Sequence, residues 1–187
     1  MRLFTTIFSI LLSLSVKMAA TTPEHALYFL DFPISSDRET TIVNLEKINF
    51  YKLPVTLKDG TKGYYETETV TKLFGEFQGE YFDLTLFHNH NPNMISAVWL
   101  EKDTFSGWEE LLDMRLKISE AIQKELGEPD FACCVMDMDE DQKVIMSDRF
   151  KNGEIPTMYS LWTFKNLIVE LTADVDKLHL KLQSVYK

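Results

Sequence analysis

The sequence predicts an α+β fold, with antiparallel sheet carrying helices on one face, and three observations predict it. Two stretches read as capped helices with apolar inner faces. Three closing segments alternate apolar and polar residues across short turns, which is the pattern of a β-meander with one wet face. The order strand, capped helix, strand pair occurs twice, over Leu27 to Phe87 and Ile95 to Leu182. That order, without residue identity to match, suggests two repeated strand-helix-strand-strand lobes within one domain over 21–187.

Taken in order, Leu27 to Phe32 is a short apolar run halted by Pro33. Ser36 with Glu39 three residues on forms a capping box, so a helix of about three turns should follow with Ile42, Leu45 and Ile48 inward. Asp59-Gly60 marks a turn. Period two then sets in: Leu73, Gly75 and Phe77 share one face, and after a turn at Gln78-Gly79 so do Phe82, Leu84 and Leu86. Gly75 and Gly79 mark a bulge or a tight turn. Ile95 to Leu100 reads as a central strand, its alternation blurred because both faces are apolar.

The second helix has both ends written in the sequence. Ser106 and Glu109 form its capping box, and Trp108, Leu111, Leu112, Ile118, Ile122 and Leu126 form its stripe. Gly127 supplies a left-handed terminus, and Pro129 forbids continuation. A shorter helix over Gln142 to Lys151 ends at Gly153. The meander comprises Tyr159 to Phe164, the alternation at Leu167, Val169 and Leu171, and that at Leu178, Leu180 and Leu182. Lys177, His179, Lys181 and Gln183 point outward.

The N-terminus sets a compartment. Arg2 precedes an apolar run from Leu3 to Val16 broken only by Ser and Thr, and small residues follow. That is the pattern of a secretory signal peptide over residues 1–20, and the run is short for a membrane span. The mature protein is expected in the periplasm or outside the cell, without a membrane span. Translation from Met18 would instead leave it in the cytoplasm. The net charge is −10, and the leader would take away two cations and no anions. Such a surface repels phosphate backbones and anionic lipid, which argues against nucleic-acid partners. Cys133 and Cys134 are the only cysteines; adjacency makes a bridge between them a strained ring, so they read as free thiols.

The segments FLDFPISS, LFGEFQGEYFDLTLF, VWLEKDTFSGWEELLDMRLKISEAIQKELGEP and LWTFKNLIVELTADVDKLHLKLQ resemble a family of small exported proteins of Gram-negative gut bacteria with no assigned function. Phe32-Pro33-Ile34-Ser35-Ser36 stands where that family has a Gly-bearing turn. The resemblance implies export and this fold, and no activity. A looser likeness, at the level of fold, is to the tandem helix-plus-sheet modules of the β-lactamase inhibitor protein and of outer-membrane assembly lipoproteins; it implies a binding surface.

Catalytic chemistry finds little foothold. His88-x-His90 offers two imidazoles on one side of an extended chain, yet zinc requires more ligands and the flanking Asn and Pro are turn formers. Asp137, Asp139, Asp141, Val144 and Asp148 copy the spacing of a calcium loop, but Gln142 replaces the Gly of its sharp turn and Asp148 its bidentate Glu. Nucleophile elbow, zinc-helix, phosphate-loop and dinucleotide motifs are absent from the sequence. Trp108 and Trp162 sit at core-periodic positions. No catalytic, cofactor-binding or metal residue is therefore assigned, and no cofactor is expected. The reading is an exported, non-catalytic binding protein for an unknown protein or envelope component. The alternative is a hydrolase or metal-dependent enzyme of the envelope. A deep cleft gathering His88 or His90 with carboxylates would favour the enzyme, and a flat aromatic patch the binder.

Overall fold

The structure, a computed structural model, describes residues 27–30, 32–34, 37–88, 95–133, 140–155 and 157–184. The expected leader, Ser36, His90, Cys134, Asp137, Asp139 and the Asp141 side chain lie outside the described residues. The first half of the chain runs β1 (Leu27–Phe29), β2 (Phe32–Ile34), α1 (Arg38–Lys47), β3 (Phe50–Lys52), β4 (Pro54–Thr56), β5 (Lys62–Tyr64), β6 (Val70–Phe77), β7 (Glu80–His88) and β8 (Ile95–Lys102). The second runs α2 (Trp108–Leu126), β9 (Phe131–Cys133), α3 (Glu140–Lys151), β10 (Thr157–Phe164), β11 (Leu167–Asp174) and β12 (Leu178–Ser184).

Eight strands make one sheet in the order β3-β6-β7-β8-β12-β11-β10-β9, and every neighbouring pair is antiparallel. The protein is thus α+β, with two further hairpins, β1-β2 and β4-β5, beside the main sheet. The repeat drawn by the sheet is a helix followed by a four-stranded meander. In each copy an insertion separates the first strand from the second: the β4-β5 hairpin in one, α3 in the other. The last strands of the two meanders, β8 and β12, pair with each other and make the sheet continuous.

Side-chain alternation decides the two faces. Leu73, Leu84, Leu100, Leu180 and Leu171 lie opposite one another in a single register line across five strands, and all five are fully buried. Each such side chain contributes about 1.5–3 kcal/mol relative to exposure. The register is therefore strongly specified, since a slip of one residue would turn the line to water. On the next strand the line meets Ser160, whose hydroxyl accepts from Arg115 Nη2 of α2 at 2.8 Å. Thr41, Ile42 and Leu45 of α1 and Leu111, Leu112, Ile118 and Ile122 of α2 are buried with this face. The β1-β2 hairpin covers it too, Phe32 packing on Phe50 and Phe77 with ring centroids 5.7 and 5.2 Å apart.

Local chemistry differs from the sequence expectation in three places. The first helix is capped by Asp37, whose extended backbone lets its carboxylate accept the Thr40 N–H at 2.9 Å. At the second, extended Gly107 is the N-cap and lengthens the reach back to Ser106, so Glu110 rather than Glu109 accepts from both the Ser106 N–H and its hydroxyl, each at 2.6 Å. The blurred alternation of β8 comes from a β-bulge. Phe87 faces Ala97 while His88 faces Ile95, leaving Ser96 as the extra residue, with its hydroxyl on the Phe87 carbonyl at 3.1 Å. The bulge changes the phase of the strand, and beyond it the two faces are distinct: Leu100 is buried and Trp99 exposed.

Candidate binding face

The opposite face of the sheet carries no helix among the described residues. Its register lines are easily followed. Tyr51, Phe74, Asp83, Glu101, His179, Thr172, Tyr159 and Cys133 lie opposite one another in turn, from β3 to β9. The neighbouring line holds Lys72, Thr85, Trp99, Lys181, Glu170, Leu161 and Phe131. Large aromatic groups stand in solvent here: Tyr51, Phe74, Tyr81 and Trp99 are 57%, 43%, 60% and 41% exposed. Tyr51, Phe74 and Tyr81 adjoin one another by register and stacking, with Trp99 apart from them on the same face; scattered apolar groups on a surface need no explanation, but such a cluster does.

The face divides into two chemistries. Near its centre and on the second meander the charges are matched. Lys181 Nζ lies 3.5 Å from Glu170 and 5.5 Å from the centroid of the Trp99 ring, which packs on Phe87 at 4.5 Å. Partial burial, with the neighbouring Glu170 charge, pushes the Tyr159 phenol up from its ordinary value.

At the corner formed by β3, β6, β7 and the end of β8, aromatic rings and carboxylates are neighbours, in checkerboard order on β6 and β7. Tyr51 sits opposite Phe74, Phe74 opposite Asp83, Asp83 opposite Glu101, and Glu76 opposite Tyr81. Phe74 and Tyr81 stack, their ring centroids 5.3 Å apart and their planes 4° from parallel. Two carboxylates directly across a strand pair destabilise a sheet. Partial burial pushes the Asp83 carboxyl above its ordinary value; Lys72 draws it back, and Asp103 and Glu101 push it further up.

The residues singled out by sequence fall elsewhere. His88 is buried on the covered face, its Nε2 3.0 Å from the Thr71 hydroxyl. Val144 and Asp148 are exposed on α3, and no group of three ligand-type side chains gathers among the described residues. Trp162 is core, its indole N–H donating to the Gly127 carbonyl at 3.0 Å, while Trp108 is half-buried beneath Lys151. Three clefts built from described residues lie beside α1 or α2: one above Phe32 and Phe50, one at the start of α2 around Glu80 and Glu110, one at Arg38 and Glu66. His88 lines none of the three. Sequence reading missed the aromatic corner, although its signal was present in the residues skipped by the Leu73, Gly75, Phe77 alternation.

No helix among the described residues is long and apolar enough to cross a membrane. Comparison of the chain with protein-family models, with curated proteins and with solved structures finds no match.

Proposed function

We propose that this chain is a non-catalytic binding protein, exported to the cell envelope, and that the helix-free sheet face is its working surface. The observation that carries the reading is the exposure of Tyr51, Phe74, Tyr81 and Trp99 together on that one face. Aromatic groups at the centre of an interface supply large contact area at small entropic cost, and interfaces are enriched in them. A sheet held rigid by a buried leucine line presents such groups without reorganisation, which lowers the cost of association. The apolar run after Arg2 supports export, and the acidic balance favours a partner without phosphate-rich surfaces.

The test is quantitative capture from envelope extract with the full chain and with a Tyr81→Ala/Trp99→Ala variant. The reading expects a partner retained by the parent protein and lost, at unchanged melting temperature, by the variant. Equal retention by both proteins would move the working surface off this face.

A further inference from the structure

We infer that the corner formed by β3, β6, β7 and the end of β8 docks a Lys- and Arg-bearing segment of a partner protein. The inference rests on the reading of the open face as the working surface and names the chemistry of its partner. Three observations carry it. Carboxylates and aromatic rings adjoin there: Phe74 lies opposite Asp83 and Tyr81 opposite Glu76, with Tyr51 flanking the rings and Glu101 the carboxylates. The anions are under-compensated, since neither Glu76, Asp83 nor Asp103 forms an ion pair among the described residues, and Glu101 reaches Lys177 only at 3.8 Å. The aromatic rings are under-used in the same sense.

Elsewhere this protein lays its own lysines over four exposed rings, Lys52 over Tyr64, Lys72 over Tyr65, Lys165 over Phe164 and Lys181 over Trp99, while exposed Phe131 packs on Tyr159 instead. Among the described residues no such cation covers Tyr51, Phe74 or Tyr81. A ring face beside a carboxylate is the environment that attracts a guanidinium or ammonium group most strongly at a surface, because the ring quadrupole and the anion act in the same direction. The opposed Asp83 and Glu101 complete the argument, because a like-charge pair costs the free protein stability that an incoming cation restores.

The experiment titrates the full chain into a fluorescein-labelled peptide of alternating Arg and Ser, with its Glu-Ser counterpart and a neutral β-glucan oligosaccharide as comparison probes. The Arg-Ser peptide should bind, with affinity falling as salt is raised. Asp83→Asn should weaken it about tenfold and Tyr81→Ala about three- to tenfold, and Lys72→Gln should strengthen it. Glu120→Gln removes the same charge from the exposed side of α2 and should leave binding unchanged. If Glu120→Gln weakens binding as much as Asp83→Asn, the peptide responds to net charge and the corner is not its site. If the β-glucan binds and loses affinity in Tyr81→Ala while the Arg-Ser peptide does not bind, the chemistry assigned here is overturned and the open-face reading stands. If neither probe binds, the cationic assignment is overturned, and the capture experiment decides the fate of the open face separately. Concentration-dependent self-association abolished by Tyr81→Ala would likewise overturn it, in favour of a second copy of this chain.

Discussion

Asp37 and Asp83 are shifted in opposite directions, and the signs give separate tests. Hydrogen bonds from the Thr40 side chain and backbone hold the Asp37 carboxyl below its ordinary value. Its contribution is present above the ordinary carboxylate range and is lost as pH falls through the lowered folded value. Asp37→Ala should therefore cost about 0.5–2 kcal/mol at neutral pH. Urea unfolding in strong acid should show that difference gone. For Asp83 the sign reverses, since partial burial and then the Asp103 and Glu101 charges raise the carboxyl against the pull of Lys72. The folded state holds its proton more tightly than the unfolded state, so ionising Asp83 costs stability as pH rises through the ordinary value to the raised one, and the cost persists above it. Asp83→Asn should then stabilise the protein at neutral pH by about 0.2–1 kcal/mol, less at high salt, with no gain in acid. A neutral or destabilising Asp83→Asn would show that the cross-strand pair carries no strain.

At the scale of elements, the strands rest on contacts that single substitutions can break. A Cβ added at Gly75 would stand 2.4 Å from the Asn49 carbonyl and 2.6 Å from the Phe50 ring. The neighbour is backbone of the β3 entry and cannot swing aside, so Gly75→Ala should cost about 1–3 kcal/mol. Leu180→Asp places a charge in the middle of the leucine line and should cost about 3–5 kcal/mol, whereas Lys181→Ala on the open face should cost under about 1 kcal/mol. Equal losses from the last two in urea unfolding would mean that the faces of β12 are reversed. Most of this level was legible in the sequence, because period two at Leu178, Leu180 and Leu182 and period 3.6 at Leu111, Ile118 and Ile122 leave one choice of inner face. The caps were misplaced by a residue because Ser, Asp and Glu crowd each helix start, and only backbone geometry selects among them. The bulge at Ser96 was illegible, since an extra residue in a strand looks the same in sequence as a strand with two apolar faces. The aromatic corner was half legible: Phe74, Glu76, Tyr81 and Asp83 are the skipped positions of one hairpin, whereas Tyr51 and Glu101 come from other strands and only the register brings them into line.

For the whole molecule, the described strands form a continuous eight-stranded sheet with one face buried in the core, and the proposed binding role falls to the other face. Export predicts that intact-mass measurement of protein recovered from the envelope finds residues 1 to 20 removed; a cytosolic product beginning at Met1 or Met18 would contradict it. His88 is held against Thr71 on the covered face, so micromolar zinc should leave the melting temperature unchanged, and a rise of several degrees abolished by His88→Ala would contradict that placement. The central claim concerns which face meets the partner, and a photo-crosslinking amino acid placed singly at Tyr81, Trp99, Val43 and Leu116 in the cell that makes the protein tests it most directly. All four positions are exposed, the first two on the open sheet face and the last two on α1 and α2. The account predicts a discrete partner adduct from Tyr81 and Trp99 and none from Val43 or Leu116. Adducts from the helix positions, with none from the sheet face, would contradict it.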